Sequence, residues 1–264
     1  MERKFEPYVA SVLSGLKTLV FPEVCIMCRQ EFAEICSFCL STWQKPAKQL
    51  RFAVAPTYSV IPYCEEVSSI VLLAKEERNK MAQKLIAQAL LRSITELLKR
   101  SATESCLLIP IPSSRQAERK RGQSFLHPIL KKVIEFQEAS PELSDQEWSW
   151  RELLRHKRRV RDQAGLSSAA RARNMDSVFD VIPHYRSQSS GLTSGLTSGS
   201  TSGMTSGLTG GLRGELFDLP LVVVDDVITT GATLNNAIEA LRERKMTVLG
   251  AATACASAHQ FLIR

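Results

Sequence analysis

The stretch Leu221-Val222-Val223-Val224-Asp225-Asp226-Val227-Ile228-Thr229-Thr230-Gly231-Ala232-Thr233 decides the fold. Four apolar residues run into two carboxylates and then into a short loop of small residues. Leu234, Ala237, Ile238 and Leu241 follow at helical spacing and predict a helix over about 234–244. A buried strand that feeds a helix through a tight loop is the unit of an open α/β sheet, and in such sheets ligands gather at the carboxyl ends of the strands. Asp225 and Asp226 at such an end can accept hydrogen bonds from paired sugar hydroxyls. Neighbouring strand residues face opposite ways, so both acids reach one sugar only if the chain begins to turn at Asp226. In the loop, small side chains and Gly231 let backbone N–H groups converge on an anion. The helix N-terminus adds its dipole, and Thr229, Thr230 and Thr233 add hydroxyl donors. The expected arrangement is a sugar held by the two acids and a phosphate held by Thr229, Thr230, Gly231, Ala232 and Thr233. The plainer alternative is a strand-to-helix turn with Asp and Thr as caps. A Walker-type nucleotide loop is excluded, because no glycine-rich loop ends in Gly-Lys-Ser/Thr.

Outward from this stretch, strands and helices alternate, which predicts an α/β domain with a mostly parallel sheet. Residues 248–254 read as the last strand and 178–182 as another. Residues 106–109 form a short apolar run cut by Pro110 and Pro112, so they read as a buried strand that ends in a loop. Phe125, Leu126, Ile129, Leu130, Val133 and Ile134 mark a helix, and 81–98 mark a longer one with a clear 3.6-residue pattern. Residues 52–63, rich in Val, Ile and Tyr, read as strand or hairpin. Residues 138–150 read as a surface connection, and 9–20 as a short amphipathic helix. Between 187 and 214, glycine recurs every fourth residue among Leu, Thr and Ser. That composition disfavours an isolated helix and reads as a flexible low-complexity insertion, with a partner-binding repeat as the alternative.

The chain has 264 residues with a net charge of +7 and seven cysteines. The basic balance favours anionic partners without identifying one. No signal peptide or membrane-spanning stretch is evident, so a cytoplasmic protein is expected. Four cysteines crowd together as Cys25-x-x-Cys28 and Cys36-x-x-Cys39. Two such pairs supply four thiolates to one tetrahedral ion, which predicts a closed structural zinc site, with an iron–sulfur centre as the competitor. Cys64, Cys106 and Cys255 are isolated and read as small core residues. The expected organisation is an N-terminal helix and zinc-binding module over 1–50, then an α/β domain over 51–264 that carries the 187–214 insertion.

The thirteen-residue stretch resembles the phosphoribosyl-diphosphate (PRPP) binding motif of type I phosphoribosyltransferases at every position. The wider order resembles the ComF family, within it the ComFC/GntX-like competence proteins. That order is a helix, Pro22 and the four cysteines, then Tyr58 through Lys75, Pro110-Ile111-Pro112 with the trailing Arg119-Lys120-Arg121-Gly122, the basic run 154–163, Arg171-Ala172-Arg173-Asn174 before Phe179, and then the PRPP motif. The family's Arg-Gly-Phe-Asn-Gln is replaced here by Gln123-Ser124-Phe125 after Gly122. The resemblance implies a type I phosphoribosyltransferase-like parallel sheet flanked by helices. It implies ribose hydroxyls on Asp225 and Asp226, pyrophosphate on Pro112, Ser113 and Ser114, and Mg2+ bridging ribose and pyrophosphate. Arg155, Lys157, Arg158, Arg159 and Arg161 would belong to a mobile loop that closes over the site. It further implies a role in the uptake of single-stranded DNA during natural transformation, beside a competence helicase at the cytoplasmic face of the membrane, for a protein not itself embedded there. The alternative is an active phosphoribosyltransferase that transfers phosphoribosyl to a nitrogenous base in nucleotide metabolism. The basic run 155–161 has a second reading as a grip on a DNA backbone, with Trp148 and Trp150 stacking bases. Its plainer reading is a solvated face with half-buried tryptophans.

Overall fold

The computed structural model describes residues 23–31, 33–51, 54–114, 119–122, 124–157, 178–182 and 219–261. The helix expected at 9–20, the tract 187–214 and the residues Arg158, Arg159 and Arg161 lie outside the described residues.

Eight strands are described: Lys48–Gln49 (β1), Thr57–Tyr63 (β2), Cys106–Pro110 (β3), Trp148–Trp150 (β4), Leu154–His156 (β5), Phe179–Val181 (β6), Leu221–Ile228 (β7) and Val248–Ser257 (β8). Five helices accompany them: Ser37–Trp43 (α1), Glu65–Glu76 (α2), Lys80–Arg100 (α3), Leu126–Glu138 (α4) and Ala232–Glu243 (α5). The main sheet has six strands in the order β1-β2-β8-β7-β3-β4. All its neighbours are parallel except β1 and β2, which form an antiparallel edge. β5 and β6 pair antiparallel as a separate two-stranded unit.

Strand alternation distributes β7 between two cores. Val222 and Val224 pack into the core formed with α2, α3 and α4. Leu221 and Val223 pack into the opposite core, with α5 and the β5–β6 pair. With both faces covered, the central strands need no polar face, which explains the continuous apolar run at 221–224. The helix expected at 81–98 is α3, which spans Lys80–Arg100. Asn79 caps its N-terminus by accepting a 2.9 Å hydrogen bond from the Ala82 N–H.

Several expectations need correction. The segment 138–150 is not only a surface connection, because its last three residues extend the sheet as β4. Trp148 is 6 % exposed there, and its indole donates to the Glu104 carbonyl. Trp150 is half-buried with its ring centroid 4.8 Å from that of His127. Trp148 is therefore a core residue rather than a platform for bases. Helix α2 was not expected, although Val67, Ile70, Val71 and Ala74 recur at helical spacing and form its buried face. Cys106 and Cys255 are buried as expected, and burial pushes the Cys106 thiol up to about 12, whereas Cys64 is exposed.

One close approach sets the register of β8 against the chain entering β2. A Cβ on Gly250 would lie 2.1 Å from the Pro56 carbonyl oxygen, the same oxygen that accepts the Ala251 N–H at 2.9 Å. The clash is with backbone and cannot be relieved by a rotamer change. Gly250→Ala should therefore destabilise the chain by about 1–3 kcal/mol, the usual range for overpacking. A lowered urea midpoint at unchanged slope would register it; an unchanged midpoint would show that the two segments can separate at little cost.

Candidate functional site

β3 and β7 run side by side until Pro110 pairs with Val224. The Ile111 N–H still donates to the Val224 carbonyl at 2.9 Å. Pro112 then has no N–H to offer, so the ladder stops and the chain turns away. β7 continues on its other side against β8 as far as Ile228. The chain leaves β3 toward β4 and leaves β7 toward β8, in opposite directions along the sheet, so the fork between them is a topological switch point.

A cavity of about 270 Å3 fills this fork. Asp225 and Asp226 line it from β7, and Pro112, Ser113 and Ser114 line it from the loop after β3. Two groups of residues expected from sequence to share one ligand are thus brought together from positions more than a hundred residues apart. Thr229 and Thr230 follow directly as an exposed loop, and Ala232 and Thr233 as the exposed first residues of α5, all outside the cavity lining. Gly231 has φ 84°, a left-handed conformation that favours glycine, and it starts α5. The first turn of α5 leaves backbone N–H groups without intrahelical partners beside these hydroxyls.

The chain does not turn at Asp226, because β7 runs two residues further. The acids nevertheless meet through the backbone: the Asp226 N–H donates to Asp225 Oδ1 at 2.9 Å. Asp226 takes the even register of Val222 and Val224 and meets α2, where the Lys75 ammonium lies 2.7 Å from its Oδ2. Burial, then the neighbouring Asp226 carboxylate, pushes the Asp225 carboxyl well above the ordinary aspartate range, and Lys75 only partly offsets this.

Lys75 and Arg121 also line the cavity and were not singled out from sequence as site residues. Lys75 is the basic residue of the last turn of an amphipathic helix, a pattern shared with any solvated lysine. Glu76, its neighbour, pairs with Lys120 at 2.7 Å and with Arg121 at 3.3 Å. Arg78 donates to the Arg121 carbonyl. The end of α2 thus fixes the basic segment at the cavity rim. Two further anchors were illegible. Gln260, after β8, donates to the Thr229 carbonyl at 3.1 Å and so ties down the start of the threonine loop. His156 of β5 donates from Nε2 to the Pro112 carbonyl at 3.1 Å, linking β5–β6 to the loop after β3.

Arg155 does not line the cavity. It pairs with Asp180 of β6 at 3.0 Å, and Arg244 lies 3.3 Å from the other oxygen of that carboxylate. Arg155 beside it holds the Asp180 carboxyl below its ordinary range. Lys157 also has a partner.

The four N-terminal cysteines form a second constellation. Their sulfurs all lie within 4.8 Å of one another, and Cys28 and Cys36 approach to 3.6 Å. A tetrahedral ion with bonds of about 2.3 Å to sulfur places its ligands about 3.8 Å apart, so the cluster has the dimensions of a metal cage. The Cys36 N–H points at Cys25 Sγ and the Cys39 N–H at Cys36 Sγ, both at 3.5 Å. Burial raises the Cys25 thiol, but backbone N–H groups of Cys28, Cys36 and Met27 outweigh it and bring it to about 6. The second cysteine pair opens α1, whose Trp43 is fully buried against the α2–α4 core. Arg92 of α3 donates to the Trp43 carbonyl at 3.2 Å. This cluster can hold a metal such as zinc.

A family model described as phosphoribosyl transferase domain matches residues 172–261, which include β7, α5 and β8. No curated protein matches the chain. The match and the parallel sheet together support a type I phosphoribosyltransferase domain. Among the described residues no helix is long and apolar enough to cross a membrane.

The acid pair has a stability consequence. A carboxyl whose folded pKa is raised costs stability once pH rises above its unfolded value, about 3.9 for aspartate, and costs nothing below it. Asp225→Asn keeps the oxygen that accepts the Asp226 N–H while removing the charge. It should raise the melting temperature near neutral pH by about 3 °C or more, and the gain should vanish toward about pH 4. Scanning calorimetry across that window checks it; a gain independent of pH would mean that Asp225 carries no such penalty.

Proposed function

We propose that the cavity between β3 and β7 binds PRPP as its Mg2+ complex, and that the chain is a ComF-type PRPP-binding protein that handles single-stranded DNA in the cytoplasm. The observation that carries the PRPP reading is the shared cavity lined by Asp225 and Asp226 on one side and by Pro112, Ser113 and Ser114 on the other. In this reading the acids accept hydrogen bonds from the ribose 2- and 3-hydroxyls. The loop 229–233 and the N-terminus of α5 hold the 5-phosphate. The backbone and hydroxyls at 112–114 hold the pyrophosphate, with Lys75 and Arg121 offsetting its charge. The carboxylates of Asp225 and Asp226 beside the hydroxyl-rich loop suit Mg2+, a hard cation that takes oxygen ligands and keeps much of its water; when bound there it would offset the negative charge of the pyrophosphate. The residues after β5, Lys157, Arg158, Arg159 and Arg161, would close over the ligand, with Arg155 held by Asp180 and His156 anchoring the base of the run to Pro112. The part in DNA uptake and the competence helicase as partner rest on the resemblance to the ComF family and on the basic charge of the chain.

Calorimetric titration with Mg–PRPP should give saturable binding, weakened about 100-fold or more in Asp225→Asn/Asp226→Asn, since two charge-assisted hydrogen bonds of roughly 1.5–3 kcal/mol each are lost. A short single-stranded DNA should then change the PRPP affinity, and PRPP the DNA affinity by the same factor. Tight PRPP binding with no DNA coupling, accompanied by pyrophosphate release with a base as acceptor, would instead identify a phosphoribosyltransferase.

At the cysteine cluster we propose one structural Zn2+ held by Cys25, Cys28, Cys36 and Cys39. The purified chain should carry about one zinc per molecule and no visible iron–sulfur absorbance. Because metal binding at such a site contributes directly to folding, Cys39→Ser or a strong chelator should lower the melting temperature. A metal-free protein of unchanged melting temperature would contradict the assignment.

A further inference from the structure

Resting on the PRPP reading, we propose that Lys75 is the exchangeable counter-ion of Asp226, a positioning residue that pairs with this acid and passes to the pyrophosphate when Mg–PRPP binds. Asp226 is almost wholly buried, with 8 % of its side chain exposed, and its Oδ2 has no hydrogen-bond partner among the described residues other than the Lys75 ion pair at 2.7 Å. An unpaired carboxylate at such a position is costly, and the adjacent Asp225 makes it costlier. Lys75 supplies the missing charge from outside the sheet, from the last turn of α2.

The placement of Lys75 differs from that of a fixed structural pair. Its side chain is 30 % exposed and lines the same cavity as Ser113 and Ser114. Its ammonium also lies 5.2 Å from the centroid of the Phe125 ring, a second resting contact at the cavity wall. The ammonium is a point charge on a flexible stem with three donors, so it can exchange partners without moving the helix. The end of the helix itself is held at the cavity rim by Glu76 with Lys120 and Arg121. Ribose hydroxyls that donate to Asp226 compete for the oxygen that Lys75 holds, and the anionic pyrophosphate offers the displaced ammonium a new partner in the same cavity.

Two consequences follow. With Lys75 on Asp226 the acid pair is already neutralised in part, so a free divalent cation gains little there and the metal enters with PRPP. Loss of Lys75 weakens PRPP binding while exposing the carboxylates to free metal. Zinc-loaded wild-type protein, Lys75→Met and Lys75→Met/Asp226→Asn would each be titrated with Mn2+ alone, followed by its paramagnetic resonance signal, and with Mg–PRPP by calorimetry. The wild type should show no saturable Mn2+ site, Lys75→Met should gain one, and the double variant should lose it. Lys75→Met should bind Mg–PRPP about 10–100-fold more weakly, the loss of one charge-assisted contact. Equal Mn2+ behaviour of wild type and Lys75→Met, or undiminished PRPP affinity in Lys75→Met, would overturn the proposal. Should Lys75→Met fail to fold, a Mn2+ site on the wild-type chain that Asp226→Asn abolishes would overturn it equally, and its absence would sustain it. If the wild type binds no Mg–PRPP, the reading of the cavity fails, while the Mn2+ comparison still decides the role of Lys75.

Discussion

Two adjacent carboxylates at the buried end of a central strand are the constraint on which the rest of this structure turns. Asp225 and Asp226 follow four apolar residues that are sealed on both faces; Asp226 is buried and Asp225 half-buried, so both give up much of their contact with water. Their placement is tolerable because three things converge on them. The backbone supplies one hydrogen bond, from the Asp226 N–H to Asp225. Helix α2 supplies one cation, Lys75. The fork between β3 and β7 supplies an opening of about 270 Å3 through which ligand or solvent reaches them. Remove the opening and the two charges would be an uncompensated cost; with it they form a site that binding can relieve.

The opening itself follows from proline chemistry. Pro110 can still pair through its carbonyl side at the end of β3, but Pro112 ends the ladder, and the serines after it are left at the mouth of the fork. The same Pro112 carbonyl receives His156, so the β5–β6 pair on the second core is tied to the loop that lines the site. The threonine loop is tied in turn by Gln260 beyond the end of β8. Each wall of the site is therefore anchored by an element from a different part of the chain, and the N-terminal cysteine module is docked on the far helical layer through Trp43 and Arg92.

Much of this was legible in sequence. The run Leu221 to Thr233 declared both the strand and the acids, because burial on two faces leaves a continuous apolar signature and the acids break it abruptly. The paired cysteines declared their cluster, because thiolates at that spacing have few other uses. The serines after Pro112 were reached only through resemblance to type I phosphoribosyltransferases. What sequence did not disclose were contacts made across long separations. Lys75, Arg121, His156 and Gln260 act through partners 151, 43 to 45, 44 and 31 residues away, and each has the local pattern of an ordinary surface or helix-terminal residue. Strand β4 was missed because three residues with two tryptophans are too short to show a period, and its identity depends on the neighbouring edge of β3.

The most direct test of the site is hydrogen–deuterium exchange with and without Mg–PRPP on the same protein. The account predicts that amides at 111–114 and at 225–233 gain protection together, since one ligand spans both walls of the fork, while the cysteine module is unaffected. Protection confined to one of the two segments, or found only elsewhere in the chain, would contradict it.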